Sequence, residues 1–461
     1  MRYFILFITI IILLLSPKIV HAIENPLKST NNIFGIHILN ESELKDAANL
    51  VNSSGGDWGY VTIVIQKGER DTSRWQKVFD EARRLHLIPI VRVASAQQDD
   101  GWEKPNIDEI DGWVSFLNSL NWVVKNRYVV IANEPNHTKE WGGDINPSEY
   151  AVYLRLLSEK LKANSSDFFI LPAGLDFSAK NTKETMDASI FMKKVLESDP
   201  EFFNYIDGWT SHSYPNPGFI GSEKDSGRGT VGSFVWEIDY LKTLGLEKEL
   251  PVFITETGWQ HQTSSEPKKG IPIEKVGPKL IYSFENVWNN PQVVAVTPFL
   301  LSYEDKPFDV FSWKNKDGTY YEFYNQIKEV KKTRGIPKRI TSSQIIASFT
   351  PLILGKHAVF NGALLVRNTG QTILNEDAII SIDNPNGFIE IINLYNLPKI
   401  EPFNNSLLIF QARSPKEDGL YLADLALTKE REIISNKKNI KLYIFSLIDP
   451  KFIFQKIFSK D

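Results

Sequence analysis

The sequence contains no cysteine and only three methionines in 461 residues. Without thiols there is no disulfide framework, no thiolate nucleophile and no thiolate metal site. Charge of one sign is also scarce. The net charge of -4 leaves no basic field of the kind that draws nucleic acid. No apolar run is followed by a Gly-rich phosphate turn, so a nucleotide cofactor is not expected. His137 and Asp207 are metal-ligand types, but no ligand spacing accompanies them, so no metal is expected either. Internal repeats and low-complexity tracts are absent.

Long hydrophobic runs are nearly absent too, and the exception lies at the start. Arg2 precedes an apolar run over residues 4–15, broken by Ser16-Pro17, with Val20-His21-Ala22 after it. The run is short of the roughly 20 residues needed to span a bilayer. A positive start, a short apolar core and small residues at a cut site read as a signal peptide over 1–22. That predicts a secreted, periplasmic or cell-surface protein with no stable membrane span. An uncleaved N-terminal anchor is the alternative.

What the chain does have is a series of short apolar runs of β type, separated by helical patterns. Strands are expected at residues 33–39, 60–65, 87–94, 127–133, 168–174, 206–212, 252–256 and 293–300. Between them, Asn40 with Glu43 looks like a capping box. Asp71 opens a segment with Trp75, Phe79, Ala82 and Leu85 at helical spacing, and Asn146-Pro147 opens another. Eight strands alternating with helices predict an α/β fold, a (β/α)8 TIM barrel over residues 23–335. A linker is expected at 336–345. Beyond it, turn signals about every ten residues predict an all-β sandwich-like domain over 346–461, ending in a basic, aromatic tail.

Two of the expected strands end in glutamate. Val129-Val130-Ile131-Ala132-Asn133-Glu134-Pro135 closes strand four, and Val252-Phe253-Ile254-Thr255-Glu256-Thr257-Gly258-Trp259 closes strand seven. Barrel active sites are built at the C-terminal strand ends. Three strand–helix units apart, the two carboxylates should face each other across the mouth. A facing carboxylate pair suits cleavage of a glycosidic bond, one group protonating the leaving oxygen and the other attacking the anomeric carbon or activating water.

Asn133-Glu134-Pro135 and Thr255-Glu256-Thr257-Gly258-Trp259 resemble the signature of clan A retaining glycoside hydrolases, with cellulase-like and family seventeen-like strings. The resemblance covers about residues 30–335. It implies Glu134 as acid/base, Glu256 as nucleophile and Asn133 as a donor to the sugar's 2-hydroxyl. It also implies an Arg beside the nucleophile, for which Arg92 stands in register. A His and a Tyr are implied at the end of strand six, matched by His212 and Tyr214. His37, at the end of strand one, is a further candidate. Trp259, Trp141, Trp102 and Trp313 are candidates to stack on sugar rings. Strand eight lacks the Trp that many clan members carry, and Trp313 is the expected substitute.

The function expected from these readings is a retaining O-glycosyl hydrolase. It would act on β-linked oligo- or polysaccharide through a glycosyl-enzyme, with carbohydrate as the partner. A transglycosylase would use the same residues. A non-catalytic carbohydrate-binding protein on a degenerate barrel would not need both carboxylates.

Overall fold

The computed structural model describes residues 23–263, 266–375, 378–383, 389–395 and 398–446. The expected signal peptide, residues 384–388 and the C-terminal tail lie outside these residues. The chain divides into two compact units between Lys338 and Arg339.

The first unit alternates strand and helix eight times. The strands are β1 (Gly35–Ile38), β2 (Gly59–Gln66), β3 (Leu87–Ala94), β4 (Arg127–Ile131), β5 (Phe168–Pro172), β6 (Trp209–His212), β7 (Val252–Glu256) and β8 (Val293–Val296). Each is followed by one helix: α1 (Leu44–Val51), α2 (Thr72–Arg84), α3 (Ile110–Ser119), α4 (Pro147–Asn164), α5 (Ala188–Ser198), α6 (Ser233–Thr243), α7 (Val276–Tyr282) and α8 (Glu322–Glu329). All pairs among these eight strands run parallel. One ladder joins β1 to β5 in order, and a second joins β6, β7 and β8.

Two seams close the ring. At β1 and β8, Phe34 bridges Val296, and the His37 amide donates to the Pro298 carbonyl at 3.0 Å. At β5 and β6, the Asp207 amide donates to the Ile170 carbonyl at 2.8 Å, and the Asp207 side chain accepts from the Ile170 amide at 2.7 Å. Asp207 therefore serves the seam, and no ladder residue precedes Trp209 in β6. The result is a (β/α)8 barrel.

The strands form where expected because both faces are covered, which favours continuous apolar runs. In β6, β7 and β8 every residue is buried. The helices start on the expected signals. Asp71 accepts from the amides of Ser73 and Arg74 at 2.8 and 3.1 Å. Asn40 and Glu43 complete a reciprocal capping box, and Asn146 caps α4 with Pro147 in its first turn. No helix of the described residues is long and apolar enough to cross a membrane.

The second unit is all β: β9 (Ser343–Phe349), β10 (Ile353–Gly355), β11 (Val359–Asn368), β12 (Ala378–Asp383), β13 (Glu390–Leu394), β14 (Asn405–Arg413), β15 (Gly419–Lys429), β16 (Glu432–Ile433) and β17 (Lys438–Phe445). One sheet has the order β9-β11-β14-β13. The other has β10-β17-β15-β12, with β16 beside β15. Alternate residues of β11, β14, β15 and β17 turn inward, including Leu364, Phe410, Leu425 and Leu442, into one apolar core. β9 begins at Ser343, inside the stretch read as linker.

Candidate active site

Glu134 lies just beyond β4, on a backbone that leaves the ladder abruptly. Ala132 (φ 70°) and Glu134 (φ 29°) both adopt positive φ. Such a conformation costs roughly 1–3 kcal/mol per non-glycine residue and persists only where the surroundings impose it. Here the next loop imposes it. The Glu134 amide donates to the Gly174 carbonyl at 3.1 Å. The buried Asn136 side chain donates to the carbonyls of Asp176 and Met186 at 3.1 and 3.0 Å. His137 adds a contact to Asp176 at 3.2 Å. His137 and Asp207 thus belong to separate structural contacts.

Glu256 is the last residue of β7. A register irregularity between Ser211 and His212 brings His212 opposite Glu256. His212 Nδ1 lies 2.7 Å from Glu134 Oε1 and 3.9 Å from Glu256 Oε2, so one imidazole touches both carboxylates. Arg92, on β3, donates to Glu256 Oε1 at 2.5 Å and to Asn133 Oδ1 at 2.6 Å. The Tyr214 hydroxyl donates to Glu256 Oε2 at 3.1 Å. Phe219 and Phe311 hold the Tyr214 ring edge-on. Thr257 Oγ1 donates to the Ser213 carbonyl at 2.7 Å, fixing the turn after Glu256.

These contacts set the charges. Burial works against ionisation of Glu256. The neighbouring charges of His212 and Arg92 outweigh it and hold the carboxyl well below the ordinary range. Burial also opposes the charged form of His212, but Glu256 and the bond to Glu134 raise its pKa overall. Tyr214 is pushed well up by burial and by Glu256, so its phenol keeps its proton and remains a donor. His37 is fully buried, and its two ring nitrogens have no hydrogen-bond partner. Burial and the nearby Arg92 lower its pKa to about 3, which leaves the ring neutral at ordinary pH.

Glu134, His212 and Glu256 each offer a ligand atom, all within 4.8 Å of one another. A cation there would have to displace the His212 contacts and sit beside the Arg92 guanidinium. That paired, positively charged surrounding fits a carboxylate pair served by protein donors better than a metal site.

The structure therefore gathers Glu134, Glu256, Asn133, Arg92, His212, Tyr214 and His37 at the C-terminal mouth. It places three other sequence candidates elsewhere. Trp259 is only 2% exposed and donates its indole N–H to the Gly221 carbonyl, anchoring the loop after β6. Trp313 is 3% exposed and packs edge-on against Phe323 of α8. Neither presents an open ring face. Trp141 is buried against Tyr150 and Tyr153. Trp102 lines a cleft with Arg92, Asn133 and Glu140. Beyond β8, half-buried Phe299 meets His37 edge-on at 5.2 Å.

Two residues with no signal in the sequence complete the site. Glu140 accepts from the Asn133 side-chain amide at 3.1 Å. Gly174 leaves the space that the His212 ring occupies, since a Cβ there would stand 2.2 Å from His212 Cδ2. Gly174→Ala is expected to expel the ring and to destabilise the protein by about 1–3 kcal/mol through overpacking. Denaturant unfolding reads the loss. An NMR titration of His212 should show its raised pKa falling back toward the ordinary imidazole value. An unchanged titration would mean that Gly174 does not seat the ring.

No protein-family model matches the chain, and no curated protein matches it significantly. Among solved structures, it is similar to a monomeric β-xylosidase from Caulobacter crescentus CB15, at 15% identity over 66% of this chain and 69% of that one, with a TM-score of 0.43. A family 39 glycoside hydrolase from the gut symbiont Bacteroides cellulosilyticus WH2 aligns at 12% identity over 85% and 82% of the two chains, with a TM-score of 0.45. A β-mannanase from Thermomonospora fusca aligns at 15% identity over 65% and 90%, with a TM-score of 0.42. These likenesses are loose, and the reading of the site rests on its own geometry. The chain is a (β/α)8 barrel with a paired-carboxylate site at its C-terminal mouth, joined in sequence to an all-β unit.

Proposed function

We propose that the protein is a retaining glycoside hydrolase acting on β-linked oligo- or polysaccharide. The observation that carries this is the approach of the two carboxyls, with one oxygen of Glu134 and one of Glu256 inside 4.8 Å. A nearest-oxygen approach of this size is in keeping with the carboxyl separation of about 5–5.5 Å in retaining enzymes, where inverting enzymes leave about 6.5–9.5 Å for a water molecule. The environments also differ. Glu256 is buried, ionised and held by two donors, as a nucleophile needs, while Glu134 sits at the less enclosed rim.

In the first step Glu256 attacks the anomeric carbon while Glu134 protonates the glycosidic oxygen. The C–O bond breaks, and the leaving sugar departs as an alcohol. In the second step Glu134, now a carboxylate, takes a proton from water as the water oxygen attacks the same carbon. Glu256 leaves and Glu134 is protonated again. Arg92 and Tyr214 orient Glu256 throughout. With a leader at residues 1–22, the enzyme would meet its substrate outside the cytoplasm.

The test is a hydrolysis screen over β-glucans, mannans, xylans and galactans, followed by proton NMR of the first product formed. The expected first product is the β-anomer, which mutarotates later. An α-anomer formed first would overturn the retaining assignment. Sugar binding without cleavage would instead make the barrel a carbohydrate-binding module.

A further inference from the structure

The nucleophile candidate is linked to a third carboxyl that the mechanism above does not use. Arg92 donates to both Glu256 and Asn133, and the Asn133 amide donates to Glu140 Oε2. Arg92 has only donors, so it fixes which end of the Asn133 amide is oxygen. The amide NH2 must then point the other way. One of its two protons goes to Glu140, which leaves the other for a ligand. That cleft is lined by Trp102, Pro105, Ser95, Asn133, Arg92 and Glu140. It is a narrow cleft, too small for a sugar ring, and it marks where Glu140 and Asn133 border the mouth of the barrel.

We propose that Glu140 is a specificity-determining residue. Its carboxyl holds the Asn133 amide as a donor to a sugar hydroxyl and makes the mouth around Asn133 refuse a sugar that carries its own carboxylate. This rests on the glycosidase reading and names its substrate class: neutral β-linked sugars, not uronates.

The charges that face Glu140 are known from each neighbouring element. They are Glu134 and His137 on its own loop, Arg92 on β3 and Glu256 on β7. Burial and the neighbouring Glu134 raise its pKa to about 7, with Arg92 and Asn133 opposing. Glu140 is therefore neutral below that pH and anionic above it. A uronate is anionic throughout. Repulsion between the two must grow as pH rises through 7.

The experiment compares kcat/KM on neutral β-linked oligosaccharides and on the same oligosaccharides oxidised at C6 to uronates. Wild type, Glu140→Gln and Glu140→Ala are each assayed from pH 5.5 to 8.5. Gln keeps an oxygen to accept from Asn133 but lacks the charge. Ala lacks both. The wild type should favour the neutral sugars, increasingly so above pH 7. E140Q should lose less activity on neutral sugars than E140A does, narrow the preference by on the order of tenfold at pH 8, and lose the pH dependence of that preference. E140A should lose on the order of tenfold on neutral sugars, the fold-change expected for one lost hydrogen bond of about 1.4 kcal/mol. A merely structural role would lower both substrates equally in both variants. A preference that keeps its pH slope in E140Q would assign the effect to His137 and overturn the proposal. If the wild type cleaves neutral sugars but E140Q leaves the preference untouched, this inference falls and the glycosidase reading stands. If the wild type cleaves neither set, both fall.

Discussion

Replacing Glu256 with alanine is expected to lower kcat on an aryl β-glycoside by on the order of 10⁴-fold or more, with the fold intact by circular dichroism. Glu256 is the group that would form the covalent bond, and among the described residues no other is placed to do so. His212 is tied to Glu134, and the Tyr214 phenol keeps its proton. Loss of a nucleophile removes a whole reaction path and not a single contact, hence the size of the effect. The variant should also show what occupied the space. The Arg92 guanidinium, deprived of its carboxylate, faces a small cavity of positive charge. Added azide should enter it, attack the anomeric carbon from the same face and give an α-glycosyl azide. Wild-type turnover in the variant would overturn the assignment of Glu256. Lost turnover with no azide product would point away from a covalent intermediate.

Glu134→Gln tests the other carboxyl, and its effect should depend on the leaving group. A poor leaving group such as an alkyl or sugar alcohol needs a proton as the bond breaks, and general acid catalysis is worth about 10²–10⁴-fold. Losses of that size are expected on oligosaccharides. A dinitrophenyl glycoside leaves without help, so its first step should be nearly unaffected. Its second step, which needs Glu134 as base, should become limiting, and a burst of dinitrophenol should precede slow turnover. Equal losses on both substrates would mean that Glu134 acts only by holding His212. The two variants together separate a proton donor from a nucleophile without reference to any relative.

The barrel was legible in the sequence because parallel strands buried on both faces appear as unbroken apolar runs. β3 spans residues 87–94 and β7 spans residues 252–256, as the apolar pattern predicts. Strand ends were harder to read. β4 stops at Ile131 because Ala132 turns to positive φ, which nothing in an apolar residue announces. The glutamate pair, Asn133, Arg92, His212 and Tyr214 could be found because each sits at or next to a strand end, in a register that counting recovers. Glu140 could not. It lies in Thr138-Lys139-Glu140, a polar loop stretch that looks like any solvated turn, and only the fold brings it back to Asn133. Trp259 and Trp313 misled for the opposite reason. An indole can stack on a sugar or fill a core, and position along the chain does not distinguish the two. Gly174 is a matter of space alone, which sequence does not display.

The two ladders of the barrel carry one glutamate each. Glu134 follows the five-strand ladder, and Glu256 ends the middle strand of the three-strand ladder. Their spacing is therefore a property of the joint between two sheets and not of either sheet. At the site two side chains fasten that joint: Arg92 reaches from β3 to Glu256, and His212 reaches from β6 to Glu134. Arg92 does so with charge and His212 through its ring nitrogen, so the clasp and the chemistry share the same atoms. In the proposed mechanism Arg92 would lose its partner ion each time Glu256 gave up its charge to a sugar. Under that mechanism the clasp of Arg92 on Glu256 would be an ion pair at the start and end of the cycle and a neutral contact in the interval when the first product leaves.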